Sequence, residues 1–388
     1  MVVEPKSKGF ICTTAHPAGC YKNVENQIQY AKAAASRMKQ ERHFQRVLVI
    51  GASAGYGLAS RIAAAFTNQA ATIGVMFERP ASGKRTATAG YYNTLAFDRM
   101  AEQAGLYTKS INGDAFSREI KQQVIETIKR DWGKADLVIY SLASPRRTAP
   151  DGVTYASVLK TVENPFTTKS LDLNHNEVVT ATLEPATEEE INNTVKVMGG
   201  EDWELWIDAL KEADVLEENA VTIAYSYIGP KLTYPIYHSG TIGQAKKHVY
   251  ETADRLSRKY ADVRALVSVN KAVVTQSSSA IPAVPLYLAI MYRVMKEMGL
   301  HEGCIEQMVR LFTEKLAGEE IKTDEQGMIR LDDWEMKPEV QSAIMKLWEQ
   351  ADTGNVASIS DIGGYWDDFF RMFGFRMPGV DYSADVEI

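Results

Sequence analysis

The stretch Val47-Leu-Val-Ile-Gly-Ala-Ser-Ala-Gly-Tyr-Gly-Leu-Ala-Ser-Arg-Ile-Ala-Ala-Ala-Phe66 decides the fold of this chain. Its first four residues read as a buried strand, followed by a glycine turn. A helix is expected to begin at Leu58, with positions 58, 62, 63 and 66 on one apolar face. Gly51, Gly55 and Gly57 stand where backbone must pass close to something bulky. Free N–H groups and the positive dipole end of such a helix make a site for pyrophosphate. The spacing is Gly-x-x-x-Gly-x-Gly, not the Gly-x-Gly-x-x-Gly of many dinucleotide binders. The strand, turn and helix nevertheless come in the order that nucleotide binding requires.

The downstream sequence continues the alternation. Ala71–Phe77 reads as a second strand ending at Glu78. That acid lies about twenty residues beyond the loop, where a dinucleotide site places the group that binds the adenosine ribose. A helix around 96–104, a strand at 106–111 and Gly113-Asp114 follow. A helix over 117–132 comes next, with Ser117 as N-cap and Glu119 in its first turn, and then a strand over 136–144. Apolar strands alternating with helices predict an α/β protein built on a Rossmann-like, doubly wound parallel sheet with right-handed crossovers. Residues 145–186 are polar and rich in Thr and Asn, which predicts an inserted lid. Helical periodicity resumes over 187–213, broken at Gly199-Gly200. A strand at 220–227, a helix at 241–260 and a strand at 263–274 extend the sheet. Helices at 285–298 and 302–317, a hairpin over 320–336, and helices at 338–351 and 364–373 complete the chain. We expect one unit, with an N-terminal segment and dinucleotide-binding half over 1–144 and an insertion over 145–219. A catalytic half with substrate-pocket helices then spans 220–300, and a small C-terminal lobe spans 301–388.

Composition narrows the function classes. The 388 residues are 45% hydrophobic with a net charge of −7, which argues against a nucleic-acid binder needing a basic stripe. Three cysteines make no disulfide framework. Cys12 and Cys20 flank His16, but no second ligand pair follows, so no metal is expected. No charged leader precedes an apolar run, and nothing reaches the ~20 uninterrupted apolar residues of a membrane helix. A cytoplasmic protein is the expectation.

A nicotinamide cofactor carries its own hydride chemistry; the protein must add a donor aimed at the oxygen where charge develops. Tyrosine with lysine is the usual pair, the ammonium favouring phenolate and gripping ribose. Tyr227-Ile-Gly-Pro-Lys231 has a Tyr-x-x-x-Lys spacing, but Gly229-Pro230 would break the helix that gives the spacing meaning. Tyr237-His-Ser-Gly-Thr-Ile-Gly-Gln-Ala-Lys246 is the better candidate. Ser239, Gly240 and Thr241 suit a helix start, with Tyr237 before it and Lys246 more than a turn inside. Lys247 points about 100° away and is not interchangeable with Lys246.

On these residues the chain closely resembles the FabV-type enoyl-acyl-carrier-protein reductases and the trans-2-enoyl-CoA reductases. These are long relatives of the short-chain dehydrogenases with a Tyr-x8-Lys signature. The resemblance runs nearly end to end, through His16-Pro-Ala-Gly-Cys20, the glycine loop, Gly113-Asp-Ala-Phe-Ser117 and Tyr140-Ser-Leu-Ala-Ser-Pro145. It continues in Val197-Met-Gly-Gly-Glu-Asp-Trp203, Tyr225-Ser-Tyr-Ile-Gly-Pro230, Val273-Val-Thr275 and Ile281-Pro-Ala-Val-Pro-Leu-Tyr287.

The resemblance implies that Gly51, Ala52, Ser53, Ala54, Gly55 and Tyr56 hold the cofactor phosphates, with Phe77 and Glu78 at the adenosine end. It places Asp114 and Ala115 by the adenine, Leu142 and Ala143 along the nicotinamide ribose, and Val273, Val274 and Thr275 at the nicotinamide half. Tyr227 is implied as a substrate contact, Tyr237 as the proton donor, and Lys246 as the residue gripping ribose and tuning Tyr237. The implied activity is reduction of the C2=C3 bond of trans-2-enoyl thioesters. The alternatives are a carbonyl reductase of the short-chain class and a catalytically silent dinucleotide sensor. Glu78 favours a 2′-hydroxyl over a 2′-phosphate, so NADH is expected, with weaker use of NADPH through Arg79, Lys84 and Arg85. No second glycine fingerprint follows residue 300, so no FAD is expected. Ile281–Met291 is read as a lid over the acyl chain. Arg146, Arg147, Lys160 and Lys169 are candidates for meeting a CoA phosphate or an acyl-carrier protein. The family tends to be monomeric.

Overall fold

The chain opens with a small hairpin of β1 (Ser7–Lys8) and β2 (Ile11–Cys12), then a helix over Pro17–Ala35. The computed structural model describes residues 1–36, 43–142 and 144–388. Next come β3 (Arg46–Ile50), β4 (Ala71–Met76), β5 (Thr108–Asn112) and β6 (Ala135–Tyr140). Helices Gly55–Thr67, Ala89–Gln103 and Arg118–Asp131 connect them. Two antiparallel hairpins follow, β7 (Arg146–Thr148) with β8 (Thr154–Ala156) and β9 (Phe166–Asp172) with β10 (Glu177–Leu183). Helices Glu188–Met198 and Glu201–Glu212 lead to β11 (Leu216–Ser226). The helix Thr241–Lys259 leads on to β12 (Val263–Val269), and β13 (Met328–Arg330) comes last. The seven main strands are all parallel, in the order β13-β12-β11-β6-β3-β4-β5. That is the doubly wound order, and it reverses between β3 and β6, opening a crevice at the carboxyl edge.

The period-2 alternation of β3 builds both layers at once. Val47 and Val49 pack with Leu58, Ile62 and Phe66 on one face. Leu48 and Ile50 pack with Val124, Ile128, Trp203 and Trp206 on the other. A further cluster surrounds the helix Val284–Glu297, buried without a break from Val284 to Tyr292. Val340, Ile344, Tyr365 and Phe369 of the C-terminal helices close over it.

Several local expectations shift. The first crossover helix starts at Gly55, three residues before Leu58, and the helix expected at 96–104 runs from Ala89. The polar stretch 145–186 forms the two hairpins, stitched by hydroxyl pairs Thr148–Thr154 and Thr167–Thr182, each 2.9 Å. Strands this exposed lack the one-sided apolar pattern that sequence reading needs. The strand expected over 263–274 stops at Val269, where its partner stops: Ser226 is the last residue paired, and Asn270 N–H donates to its carbonyl. The hairpin expected over 320–336 is instead the single strand β13, paired parallel with Val267–Val269. Three residues, only two of them apolar, cannot announce which distant edge they join. Among the described residues, no helix is long and apolar enough to cross a membrane.

Candidate active site

Every expected site residue that the structure describes, apart from Tyr237 and Lys246, follows the carboxyl end of a strand. Gly51–Tyr56 follow β3, Phe77 and Glu78 β4, Asp114 and Ala115 β5, Leu142 β6, Tyr227 β11, and Val273–Thr275 β12. Ala143 lies outside the described residues.

The glycine loop is set by contacts that leave no room for a side chain. A Cβ on Gly57 would fall 1.8 Å from the Gly51 carbonyl oxygen, and one on Gly51, at φ +87, would fall 2.4 Å from that of Ser141. The loop and the helix it starts are therefore pressed together at the β3–β6 crevice. Ala54 at the N-cap offers no side-chain acceptor, and the first turn holds no acid. Its amides are thus left for a ligand, and the 13-residue helix brings its positive dipole end to the same place. A cavity of about 1010 Å³ opens there, lined by Ala54, Gly55, Tyr56, Glu78, Ser141 and Val273–Thr275. Phosphate fits such a set of donors.

Glu78 is fixed from three sides. Ser53 Oγ donates to its Oε1 at 2.6 Å, and its backbone exchanges two 2.8 Å bonds with the Asn112 amide. Gly90 presses on its carboxylate, for a Cβ there would sit 2.1 Å from Oε1. The nearby Arg79 guanidinium donates to the Thr86 and Pro80 carbonyls at 3.1 and 3.4 Å, so it is already engaged. Phe77 is 77% exposed. Asp114 Oδ1 caps its own turn at Phe116 N–H, and the Ala115 carbonyl is taken by Lys121 and Trp206. Phe77, Asp114, Ala115 and Leu142 share the sheet edge but lie outside the cavity lining.

Tyr237 ends the short helix Tyr234–Tyr237, and Lys246 lies in the helix that follows. The Tyr237 ring meets Tyr227 edge-on, with centroids 4.8 Å apart and planes at 89°. Burial, and then the Glu335 carboxylate, push the Tyr237 phenol up, so it stays protonated. Lys246 Nζ donates to the Tyr225 carbonyl at 3.2 Å, and burial pulls its ammonium down to about 8. Both groups acting on the phenol raise it. Neither residue lines the cavity, whose lining includes Ser141 and Val273–Ser277.

Sequence reading missed a set of buried groups behind this pair. Tyr227 donates to Glu335, and Tyr56 donates to the carbonyl of Lys271. No motif marks Glu335 or Lys271. Two other expectations change. Of the four basic candidates for the carrier, Arg147 is 1% exposed and donates to the Lys196 carbonyl, and Lys160 pairs with Glu190. Lys169 holds the carbonyls of Trp348, Glu349 and Ala351 at the end of a helix. Only Arg146 of the four remains exposed on the surface. The lid reading of Ile281–Met291 narrows as well. Ile281, Pro282 and Pro285 line a second cavity of about 520 Å³, while Leu286–Met291 are core. At the N-terminus, His16 Nδ1 accepts the Gly19 amide as a helix cap, and Cys12 and Cys20 are buried.

Comparison with known proteins adds three matches along the chain. Residues 2–83 match the NAD(P)H binding domain of trans-2-enoyl-CoA reductase, and residues 85–317 match its catalytic region. Residues 323–386 match a domain described as enoyl reductase FAD binding. A trans-2-enoyl-CoA reductase (NADH) of Ruminiclostridium cellulolyticum is 54% identical over 391 residues, covering 100% of this chain and 98% of the relative. An enoyl-acyl-carrier-protein reductase (NADH) of Flavobacterium johnsoniae is also 54% identical, over 390 residues with the same coverage. The crystal structure of Treponema denticola trans-2-enoyl-CoA reductase in complex with NAD aligns with a TM-score of 0.97 at 50% identity, covering 100% of this chain and 98% of that one.

Proposed function

Because the chain belongs to the trans-2-enoyl-CoA reductase family, we propose that it reduces the C2=C3 bond of trans-2-enoyl thioesters with NADH. One observation carries the assignment of roles: a half-buried, protonated Tyr237 stands edge-on to Tyr227 in a chain whose glycine loop presents free helix amides to a cavity. Those amides would hold the cofactor phosphates, Glu78 the adenosine ribose, and Lys246 the nicotinamide ribose, with Val273–Thr275 beside the ring. When bound, NADH supplies the hydride that adds to Cβ. As that bond forms, charge develops on the thioester oxygen. The Tyr237 hydroxyl donates a hydrogen bond to that oxygen, and a proton drawn from solvent adds to Cα to complete the product. Following NADH oxidation with crotonyl-CoA and with a panel of ketones tests the reading. Turnover of ketones alone would replace it with a carbonyl reductase, and cofactor binding with no turnover would replace it with a sensor.

We hold nicotinamide to be the one redox cofactor, despite the resemblance of residues 323–386 to a domain described as FAD binding. The first turn of helix Ile362–Arg371 is capped by Asp361, which accepts the Gly364 amide at 2.9 Å. A carboxylate there opposes the pyrophosphate a flavin would bring. The aromatics Tyr365 and Phe369 are spent in the core. Flavin released on denaturing the purified protein would overturn this. The carrier, CoA or acyl-carrier protein, is left to Arg146 and surfaces beyond the other three basic candidates. The same reading has a monomer acting in the cytoplasm, which sedimentation and fractionation would test.

Glu78 should discriminate the cofactors. Its carboxylate can hydrogen-bond a 2′-hydroxyl and repels a 2′-phosphate. Glu78→Ala should narrow the preference for NADH over NADPH by about tenfold or more, as expected for a bond to a charged group. An unchanged ratio of kcat/KM values would remove Glu78 from the ribose site.

Lys246 should set an alkaline limb. A free lysine holds its proton to about 10.4, whereas half-buried Lys246 loses it as pH rises through about 8. The charged grip on ribose is then lost, so kcat/KM for NADH should fall there, since that ratio reports the free enzyme. Folding stability moves the other way: above about 8 the unfolded chain keeps the proton that the folded one releases. Lys246→Arg should shift the limb upward, because a guanidinium stays charged. A limb that does not move would assign the titration to another group.

A further inference from the structure

Glu335 lies in the turn after β13 and is 0% exposed. Three separate elements converge on its carboxylate. Oε1 accepts the Tyr227 hydroxyl at 3.0 Å, from the end of β11, and the Tyr287 hydroxyl at 2.6 Å, from the helix Val284–Glu297. Oε2 accepts the Ala272 amide at 2.8 Å, at the head of the Val273–Thr275 segment. Gln341 braces the arrangement by donating to Tyr287 Oη at 3.1 Å and to the Glu335 carbonyl at 2.8 Å. Lys271, equally buried, donates to the Ala272 carbonyl at 2.9 Å. Burial pushes Glu335 up and Lys271 down, and each opposes the shift of the other by its charge.

Buried charges are an expensive way to hold a fold together, since apolar residues of similar volume often stabilise more. Its use here is geometric. Tyr227 has one hydroxyl proton, and Glu335 takes it. Tyr227 therefore meets Tyr237 with its ring, and Tyr237 keeps the phenolic proton available to the thioester. The same carboxylate ties down the chain beyond Val269, where the sheet no longer supplies partners.

We propose that Glu335 is a positioning residue for the reduction, locking Tyr227 against Tyr237 and clamping the Ala272–Thr275 segment in one arrangement. The proposal rests on the enoyl-reductase reading of the site. Glu335→Gln is the same size, but an amide that keeps its oxygen on the tyrosines turns its NH2 on the Ala272 N–H. In the full-length protein, with crotonyl-CoA and NADH, kcat should fall about tenfold or more, an effect in the range of one lost charged hydrogen bond. KM for crotonyl-CoA should change far less than kcat. The thermal midpoint should fall, because Lys271 loses its opposing charge and the Ala272 N–H its acceptor, while amide exchange should quicken at 272–275 and not throughout the protein. In a Tyr227→Phe background, which already lacks the hydroxyl, the same substitution should cost clearly less than in wild type.

A kcat matching wild type, or losses that simply add to those of Tyr227→Phe, would overturn the proposal. So would exchange that rises throughout the protein, which would make Glu335 merely structural. A wild-type protein that reduces no enoyl thioester would instead refute the reading beneath the proposal, a result separable from these because it appears before any substitution is made.

Discussion

Protein carrying Tyr237→Phe should reduce crotonyl-CoA about 10²–10³-fold more slowly than wild type, about 2.7–4 kcal/mol of transition-state stabilisation, and bind NADH as before. The size follows from what the hydroxyl does. Burial and the Glu335 carboxylate keep the phenol protonated, so its O–H is available as a preorganised donor when charge reaches the thioester oxygen. The selectivity follows from packing. Phenylalanine keeps the edge-on contact with Tyr227, and Tyr237 does not line the cavity where the glycine loop opens. Steady-state turnover together with fluorescence titration of NADH reads both halves. Full activity in the variant would take Tyr237 out of the mechanism, and lost NADH binding would make it a cofactor contact.

Gly57→Ala should abolish useful cofactor binding while leaving a folded protein. The new methyl would lie 1.8 Å from the Gly51 carbonyl oxygen and 2.9 Å from its carbon. Both are backbone atoms, with no rotamer to yield. The helix Gly55–Thr67 and the loop must part, which moves the amides away from the pyrophosphate position. A displacement of about 1 Å at such a site can cost about 10²-fold, and the overpacking should lower stability by about 1–3 kcal/mol. NADH titration and thermal unfolding of the same preparation check the two numbers. A variant with wild-type affinity would mean that the close contact does not set the loop.

Local spacing made part of this site legible. Gly51, Gly55 and Gly57 lie within one turn of chain, and the strand before them and helix after them are determined by neighbours. Glu78 falls at a fixed distance because one crossover helix has a standard length. Tyr237 and Lys246 are separated by a short linker and the first turns of one helix. Other residues were illegible because their meaning depends on partners far along the chain. Arg147, Lys160 and Lys169 look like surface charges until the structure supplies a carbonyl, a carboxylate and a helix end for them. Glu335 is 108 residues from Tyr227 and 63 from Ala272.

The sequence alone thus determined the doubly wound sheet and the glycine turn at its crevice, and singled out Tyr237 and Lys246 as candidates, since periodicity and short-range spacing act through neighbours on one element. Tertiary structure decided that β13 closes the edge of the sheet, that burial and the Glu335 carboxylate raise the Tyr237 phenol, and that a buried carboxylate stands behind the aromatic pair. Those outcomes arise from burial and electrostatics between distant segments, and neither quantity exists until the chain has folded.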